Sequence, residues 1–438
     1  MDSSLIGLGS LVVLLVLIQL GTQISVALIA LSFVGVWFIR GDINIAGDML
    51  SLSALDSIAE YTFGVIPLFV LMGLFVEVSR VGRDTFDVAA ASLRSVKGGL
   101  GMATVGANAV FAAVNGTSIA SASLFTKVAV PEMIRLGYSS RFSVGVVAGS
   151  SILGMLIPPS LLLILYGIIT ESSIGQLFTG GIVPGILMST SFMLLIWLMV
   201  RFAPGYVFAD KKGAREPLEL SAMKQVKLLL PIAALIILVL GGIYGGIFTP
   251  TEAGGVGAMG ALVLALARRA LNWKSLWYAL LETGRVTASI SILLISAHLY
   301  ANMLALSGLP NDLANWMNAS NLGLIQLLVV YIILIVLMGT ILDSASILLI
   351  MIPLVLPVLV ANNIDIVWFG IVTVVAVEIG LLTPPLGIAC FTIHSNLQDS
   401  SINLKDIFVG AAPFALTMLF VLILLIVFPF LVTGLDML

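Results

Sequence analysis

Residues 154–160 read GMLIPPS, and residues 380–386 read GLLTPPL. Each stretch lies inside a long apolar run, where a Pro-Pro pair removes backbone donors and clashes with the preceding turn, so each is expected to break a helix. The two breaks are 226 positions apart, and so are Pro131 and Pro357, Ser118 and Ser344, and Gly82 and Gly308. LFTGGIVP (177–184) and IFVGAAP (407–413) continue the echo at a slightly larger offset. One register shared by several identities marks an internal repeat, with copies at residues 1–200 and 226–438. Residues 201–225 hold Lys211, Lys212, Arg215 and Lys224, two prolines and little apolar periodicity, and read as a solvated linker.

Composition sets the environment. Hydrophobic residues make up 60% of the 438 positions and charged residues 9%, against an apolar share of ~45–50% in soluble domains. Uncharged runs such as Val286–Asn311, Leu313–Leu342 and Ile407–Leu435 are long enough to cross a bilayer, which takes about 20 apolar residues. The expectation is an all-α polytopic membrane protein surrounded by lipid. A formal charge of −3 offers no basic excess for nucleic acid. The single cysteine, Cys390, excludes an internal disulfide and a cysteine-based metal cluster. His298 and His394 are far apart and not at ligand spacing, so no transition-metal site is expected. No GxxxxGK[ST] pattern occurs, so ATP is not expected as the fuel. The opening MDSSLIGLGS has no Lys or Arg before its apolar run and reads as a first membrane segment rather than a secretory signal.

Basic residues orient the two copies, because cytoplasmic loops are enriched in Lys and Arg. Arg80, Arg83, Arg94 and Lys97 cluster in the first copy, whereas the matching stretch 307–321 has no basic residue. The 40–48 loop carries only Arg40, while its counterpart 268–285 carries Arg268, Arg269, Lys274 and Arg285. Corresponding loops therefore face opposite sides, the signature of an inverted-topology repeat. The first copy is expected to contain spans at 5–20, 23–39 and 58–79, a re-entrant hairpin at 98–136 entering from the cytoplasm, a broken helix at 141–171 and a span at 178–201. The second repeats this upside down, with spans at 226–243, 250–268 and 285–306, a hairpin at 323–361 from the outside, a broken helix at 366–397 and a last span at 406–432. On this topology 17 of the 19 basic residues are cytoplasmic, Arg40 and Lys127 being the exceptions.

Unpaired backbone groups cannot face lipid, so a break belongs where it lines an enclosed or watery cavity. The first half-helix ends in carbonyls suited to Na⁺, and the second begins with N–H groups suited to an anion. Pro158–Pro159 and Pro384–Pro385 are expected to start the second halves, with Gly154 and Gly380 relieving crowding beforehand. The hairpin tips, VNGTSIAS (114–121) and LDSAS (342–346), add hydroxyl, amide and carboxylate oxygens. Such hard ligands suit alkali cations. Candidate Na⁺ ligands are Asn115, Gly116, Ser118 and Gly154 in the first copy, and Asp343, Ser344, Gly380 and Thr383 in the second. Candidate substrate contacts are Asn115, Thr117, Ser118, Pro159, Ser160, Ser346 and Pro385. Glu378 either lines the cavity or holds the neighbouring break together, an acid inside a membrane being expensive and usually functional. Thr249, Pro250 and Glu252 have the spacing of a capping box, a structural reading.

Four motifs, in order, carry a resemblance: VNGTSIASASLFTKVAVPEMIRLGY, LIPPSLLLILYG, GGIYGGIFTPTEAGG and VEIGLLTPPLGI. Together they resemble the large membrane subunit of tripartite ATP-independent periplasmic (TRAP) transporters over nearly the whole chain. The resemblance implies an elevator-type secondary transporter in the bacterial inner membrane, driven by a Na⁺ gradient. It also implies a small four-helix membrane subunit (Q type), a periplasmic substrate-binding protein (P type) and a small organic acid as substrate: a C4-dicarboxylate, a sialic acid or another sugar acid. The second tip departs from the family pattern, keeping its acid in TILDSAS but lacking the proline that often follows. A stand-alone ion-coupled anion carrier and a channel remain alternatives. An intramembrane enzyme would need a nucleophile with its base or an HExxH pair, and neither is present.

Overall fold

The structure is a computed structural model that describes residues 3–59, 61–209, 220–319, 324–397 and 401–435. Lys211, Lys212 and Arg215 of the expected linker, and residue 323 at the start of the expected second hairpin, lie outside these. Regular structure among the described residues is helical, apart from one isolated bridge between Tyr138 and Phe208. Among the described residues, eight helical segments are long and apolar enough to cross a membrane, including Ile174–Phe202, Ala222–Tyr244, Trp273–Ser307 and Leu404–Val427. The chain is an all-α, multi-pass membrane protein.

Helices Gly99–Asn115 and Ser118–Arg135 are joined by two residues. Buried Phe111 and Phe125 pack edge to face across the two arms with ring centroids 5.9 Å apart, a favoured aromatic geometry. Leu324–Gly339 and Ser344–Ala361 are likewise joined by a four-residue turn. Each pair is followed by an interrupted helix. Ser140–Ser151 and Leu153–Leu156 precede Leu161–Thr170, and Ile366–Leu381 precedes Ile388–Asn396. In both interruptions the Pro-Pro peptide is cis.

Packing between the two sequence copies is reciprocal. Val65–Val78 packs on Pro250–Ala267, and Ile24–Arg40 packs on Trp273–Ser307. A shift of 226 positions carries each partner of one pair onto the opposite partner of the other. The same exchange relates Ser140–Ser151 on Leu404–Val427 to Ile366–Leu381 on Ile174–Phe202. It also relates Leu161–Thr170 on Ser344–Ala361 to Ile388–Asn396 on Ser118–Arg135. Side-chain bonds tie further helices together: Tyr166 donates to the Ile366 carbonyl at 2.7 Å and Trp368 to the Leu425 carbonyl at 2.8 Å.

Four local features differ from the sequence reading. Residues 43–59, left as loop and approach to a span, form the helix Ile43–Ala59, whose start is braced by Asn44 N donating to the Asp42 carboxylate at 2.8 Å. In the second copy the matching stretch is continuous with the following span, giving the 35-residue helix Trp273–Ser307. Lys274 and Arg285 therefore sit on a helix, alongside exposed Trp273, Trp277 and Tyr278, the amphipathic aromatics typical of a membrane–water boundary. The expected linker does not begin loose at residue 201. After Phe202 the chain makes the turn Pro204–Val207 and is pinned to the 137–139 connection by Ser139 N to Val207 O at 2.8 Å and Ala209 N to Gly137 O at 3.0 Å. Finally, the proline pairs lie inside the breaks rather than in the first turns of the second halves, which begin at Leu161 and Ile388. Ser160 caps the first of these, accepting from Leu163 N at 3.3 Å. A serine cap satisfies a free N–H, which a proline cannot do.

Candidate functional site

The first tip forms where Gly116 takes a left-handed conformation, φ 68°, and ends the Gly99–Asn115 helix. Asn115 folds back across the turn, its amide donating to the carbonyl and the hydroxyl of Thr117, each at 3.1 Å. Leu161, the first residue of the second half-helix, donates its N–H to the Gly116 carbonyl at 3.1 Å. Glycine is required on both sides of this junction. A Cβ on Gly116 would lie 2.8 Å from the Pro159 carbonyl oxygen, and one on Gly154 would lie 2.5 Å from that of Thr117. Gly73, on the 65–78 helix, lets that helix approach Asn115 from the other side.

The second tip repeats the stitch. The Thr340 carbonyl accepts from Leu386 N at 3.1 Å and Gly387 N at 3.3 Å, and Gly380 meets Gly339 backbone to backbone. Asp343 caps the Ser344–Ala361 helix, accepting from the backbone N–H of Ser346 at 3.2 Å and from the Ser346 hydroxyl. Thr383 turns its hydroxyl back to the Ile379 carbonyl at 2.8 Å.

The sequence candidates thus fall into two groups. Asn115, Gly116, Thr117, Ser118, Gly154 and Pro159 meet at the first tip and break, and Asp343, Ser344, Ser346, Gly380 and Thr383 gather at the second. Ser160 and Ser346 are buried with their hydroxyls donated to Met155 O and Asp343, which leaves them as caps and struts. Pro159 is buried, whereas Pro384, Pro385 and Leu386 are exposed.

The second group includes a buried acid outside the candidate ligand sets. Glu378, 1% exposed, accepts the hydroxyl of Ser344 on Oε1 at 3.2 Å. Its Oε2 is buried with no hydrogen-bond partner among the described residues. The signal available in sequence was an acid in an otherwise uncharged apolar run, but its partner lies 34 positions away, beyond any local pattern. Thr340, Gly73 and Gly339 were also missed. They act through a carbonyl or through having no side chain, and neither leaves a sequence signature. The clustered hydroxyls, carbonyls and one buried carboxyl group form an oxygen-rich, apolar-walled setting suited to hard cations.

A profile of the family described as "Tripartite ATP-independent periplasmic transporter, DctM component" matches residues 11–431. The chain belongs to the DctM family. It is 32% identical over 442 aligned positions to the C4-dicarboxylate TRAP transporter large permease protein DctM of Rhodobacter capsulatus, covering 98% of this chain and 97% of that one. It is 30% identical to the sialic acid TRAP transporter large permease protein SiaM of Vibrio cholerae over 92% of each chain. Among solved structures, the YdaH transporter of Alcanivorax borkumensis shares the fold with a TM-score of 0.59 and 17% identity, over 87% of this chain and 88% of that one. This DctM-family chain is a transport permease of the bacterial inner membrane, not an enzyme, and both relatives match it almost end to end.

Proposed function

We propose that this chain carries out Na⁺-coupled uptake of a small organic anion by an elevator mechanism. A periplasmic P-type binding protein delivers the anion, and a small four-helix Q-type subunit completes the membrane complex. The observation that carries this reading is the paired stitch. At closely corresponding places in the two copies, each interrupted helix is bonded through its backbone to its own hairpin tip. Two such units, read as inverted repeats with tips at mid-membrane, enclose one cavity between broken helices, the arrangement by which secondary transporters alternate access. Na⁺ is held by Asn115, Gly116, Ser118 and Gly154 at one tip and by Asp343, Ser344, Gly380 and Thr383 at the other. Asn115, Thr117, Ser118 and Pro159, with Ser160 and Ser346 behind them and Pro385 opposite, frame the anion.

Both ions offset the burial of an anion's charge, which alone is prohibitive in a low-dielectric cavity. Net inward positive charge also draws on the membrane potential, about 2.3 kcal/mol per charge per 100 mV. The names of the C4-dicarboxylate and sialic acid relatives support a small organic acid as the substrate.

The test is uptake of radiolabelled acids into proteoliposomes holding this chain, its Q-type subunit and its P-type protein. Uptake should require an inward Na⁺ gradient and the binding protein. Uptake that follows a proton gradient and ignores Na⁺ sinks the coupling assignment. Uptake by the chain alone favours a stand-alone carrier.

A further inference from the structure

A cavity of about 1110 Å³ opens beside the base of the first hairpin, and no residue of either tip or break lines it. Its walls come from four places: the helix Val81–Ser92, the turn 93–98 that leads into the hairpin, the second half of the Ser118–Arg135 arm, and the end of Ile174–Phe202 with the Pro204–Val207 turn after it. Among the described residues that line it, five are basic: Arg83, Arg94, Lys97, Lys127 and Arg135. All five are exposed. Two are acidic, Asp87 and Glu132, so the lining carries a net formal charge of +3, five minus two. Glu132 already accepts from Arg135 Nε at 2.9 Å. Asp84 is paired with Arg268 and lies outside the lining.

Cytoplasmic loops are commonly basic, but a solvated face spreads its charges apart. Here cations from three separate segments converge on one concavity, where low-dielectric walls focus their field. An anion in the cavity relieves that repulsion. Lys127 lies eight residues further along its arm than Arg135, about 12 Å at 1.5 Å per residue, so positive charge runs down the cavity and is not confined to its mouth. The rest of the wall is apolar, with Phe86, Leu93, Val128, Val200 and Phe208. Val200 belongs to a segment long and apolar enough to cross a membrane, and Trp197, Leu198 and Phe202 are exposed on its last turns. A ligand that matches both parts has an anionic head and an apolar body. The stretch that continues from Ala209 does not supply the anion: Asp210, Glu216 and Glu219 are balanced there by Lys211, Lys212 and Arg215.

We infer that this cavity binds an anionic phospholipid of the cytoplasmic leaflet, with its phosphate among Arg83, Arg94, Lys97 and Lys127 and its chains along Val200 and the exposed end of Ile174–Phe202. Basic pockets between helices on the cytoplasmic side suit phosphate-bearing head groups. The inference needs the cytoplasmic placement proposed for the base of the first hairpin and is independent of the Na⁺-coupled reading.

The experiment titrates dioleoyl-phosphatidylglycerol into the purified full chain in a neutral detergent. Lipid retained on the intact chain is counted by native mass spectrometry, and the melting temperature is followed in parallel. Phosphatidylglycerol should be retained and should raise the melting temperature. Dioleoyl-phosphatidylcholine, with the same chains and no net charge, should bind at least about tenfold more weakly. Lys97→Gln and Lys127→Gln should each weaken retention of phosphatidylglycerol roughly fivefold, the equivalent of ~1 kcal/mol. Asp87→Asn removes an opposing charge and should tighten it. Lys274→Gln, at an exposed cation outside the cavity, should leave it unchanged. Lys97→Gln lies on an exposed turn and carries the test if the Lys127 variant does not fold. Equal retention of the two lipids overturns the inference. So does equal weakening by Lys274→Gln, which would mean attraction to a diffuse surface charge. Displacement of the lipid by millimolar inorganic phosphate or succinate overturns it too, by making the cavity a site for soluble anions.

Discussion

Gly380 and Gly339 touch backbone against backbone: a Cβ on Gly380 would lie 2.6 Å from the Gly339 Cα and 2.8 Å from the Val336 carbonyl oxygen. Neither neighbour is the end of a flexible side chain, so an added methyl has to push two helices apart. Overpacking of this kind costs about 1–3 kcal/mol. Gly380→Ala is expected to lower the melting temperature in detergent and cut uptake severalfold. Gly9→Ala, where a Cβ meets nothing within 4 Å, is the control and should change neither. Equal behaviour of the two variants would remove the close approach from the account of the second break.

The capping box expected from sequence is formed. Thr249 Oγ1 accepts from Glu252 N at 3.3 Å, and the Glu252 carboxylate accepts from Thr249 N at 2.8 Å. Losing such a cap costs about 1 kcal/mol, whereas glutamine can replace glutamate in the motif. Thr249→Ala should therefore lower the melting temperature by a few degrees with the Na⁺ requirement intact, and Glu252→Gln should be nearly silent. A shifted Na⁺ half-saturation in Glu252→Gln at normal stability would move this acid from architecture to function.

The proposed inverted arrangement of the two copies is open to chemical labelling. Asp48 and Asn272 are both exposed and lie near the starts of repeat-related segments. Cysteine at position 48 should react with a membrane-impermeant maleimide added outside intact cells. Cysteine at position 272 should react only after permeabilisation. Cys390 is buried and contributes little background. Labelling of both positions from one side would leave the repeat without its inversion.

The parts of the fold most legible in sequence were those punctuated by residues with unusual backbones. Asn115-Gly116 and the paired prolines stop helices for reasons internal to the residue, so the tips and breaks could be located from letters alone. Val81–Ser92 and Ile43–Ala59 were not legible as helices. Exposed charged residues such as Arg83 and Asp48 lie on them, and a short helix of this kind among long apolar spans reads like a loop. Asp343 was read as a cation ligand from its depth, but its contacts with Ser346 N and Oγ show how much of an acid's bonding goes to its own helix. Glu378 was visible as an anomaly and not as a partner of the second tip, because the approach of Ser344 to it is a property of packing, not of spacing.

The bonds from Leu161 N to Gly116 O and from Leu386 N to Thr340 O involve main-chain atoms alone. Short of proline at 161 or 386, no substitution deletes their donor or acceptor. On the proposed reading, the frame around the transport site is thereby insulated from most changes in the side chains around it. A descendant of this chain could then exchange those side chains, and so drift toward a different acid, while inheriting the frame unchanged.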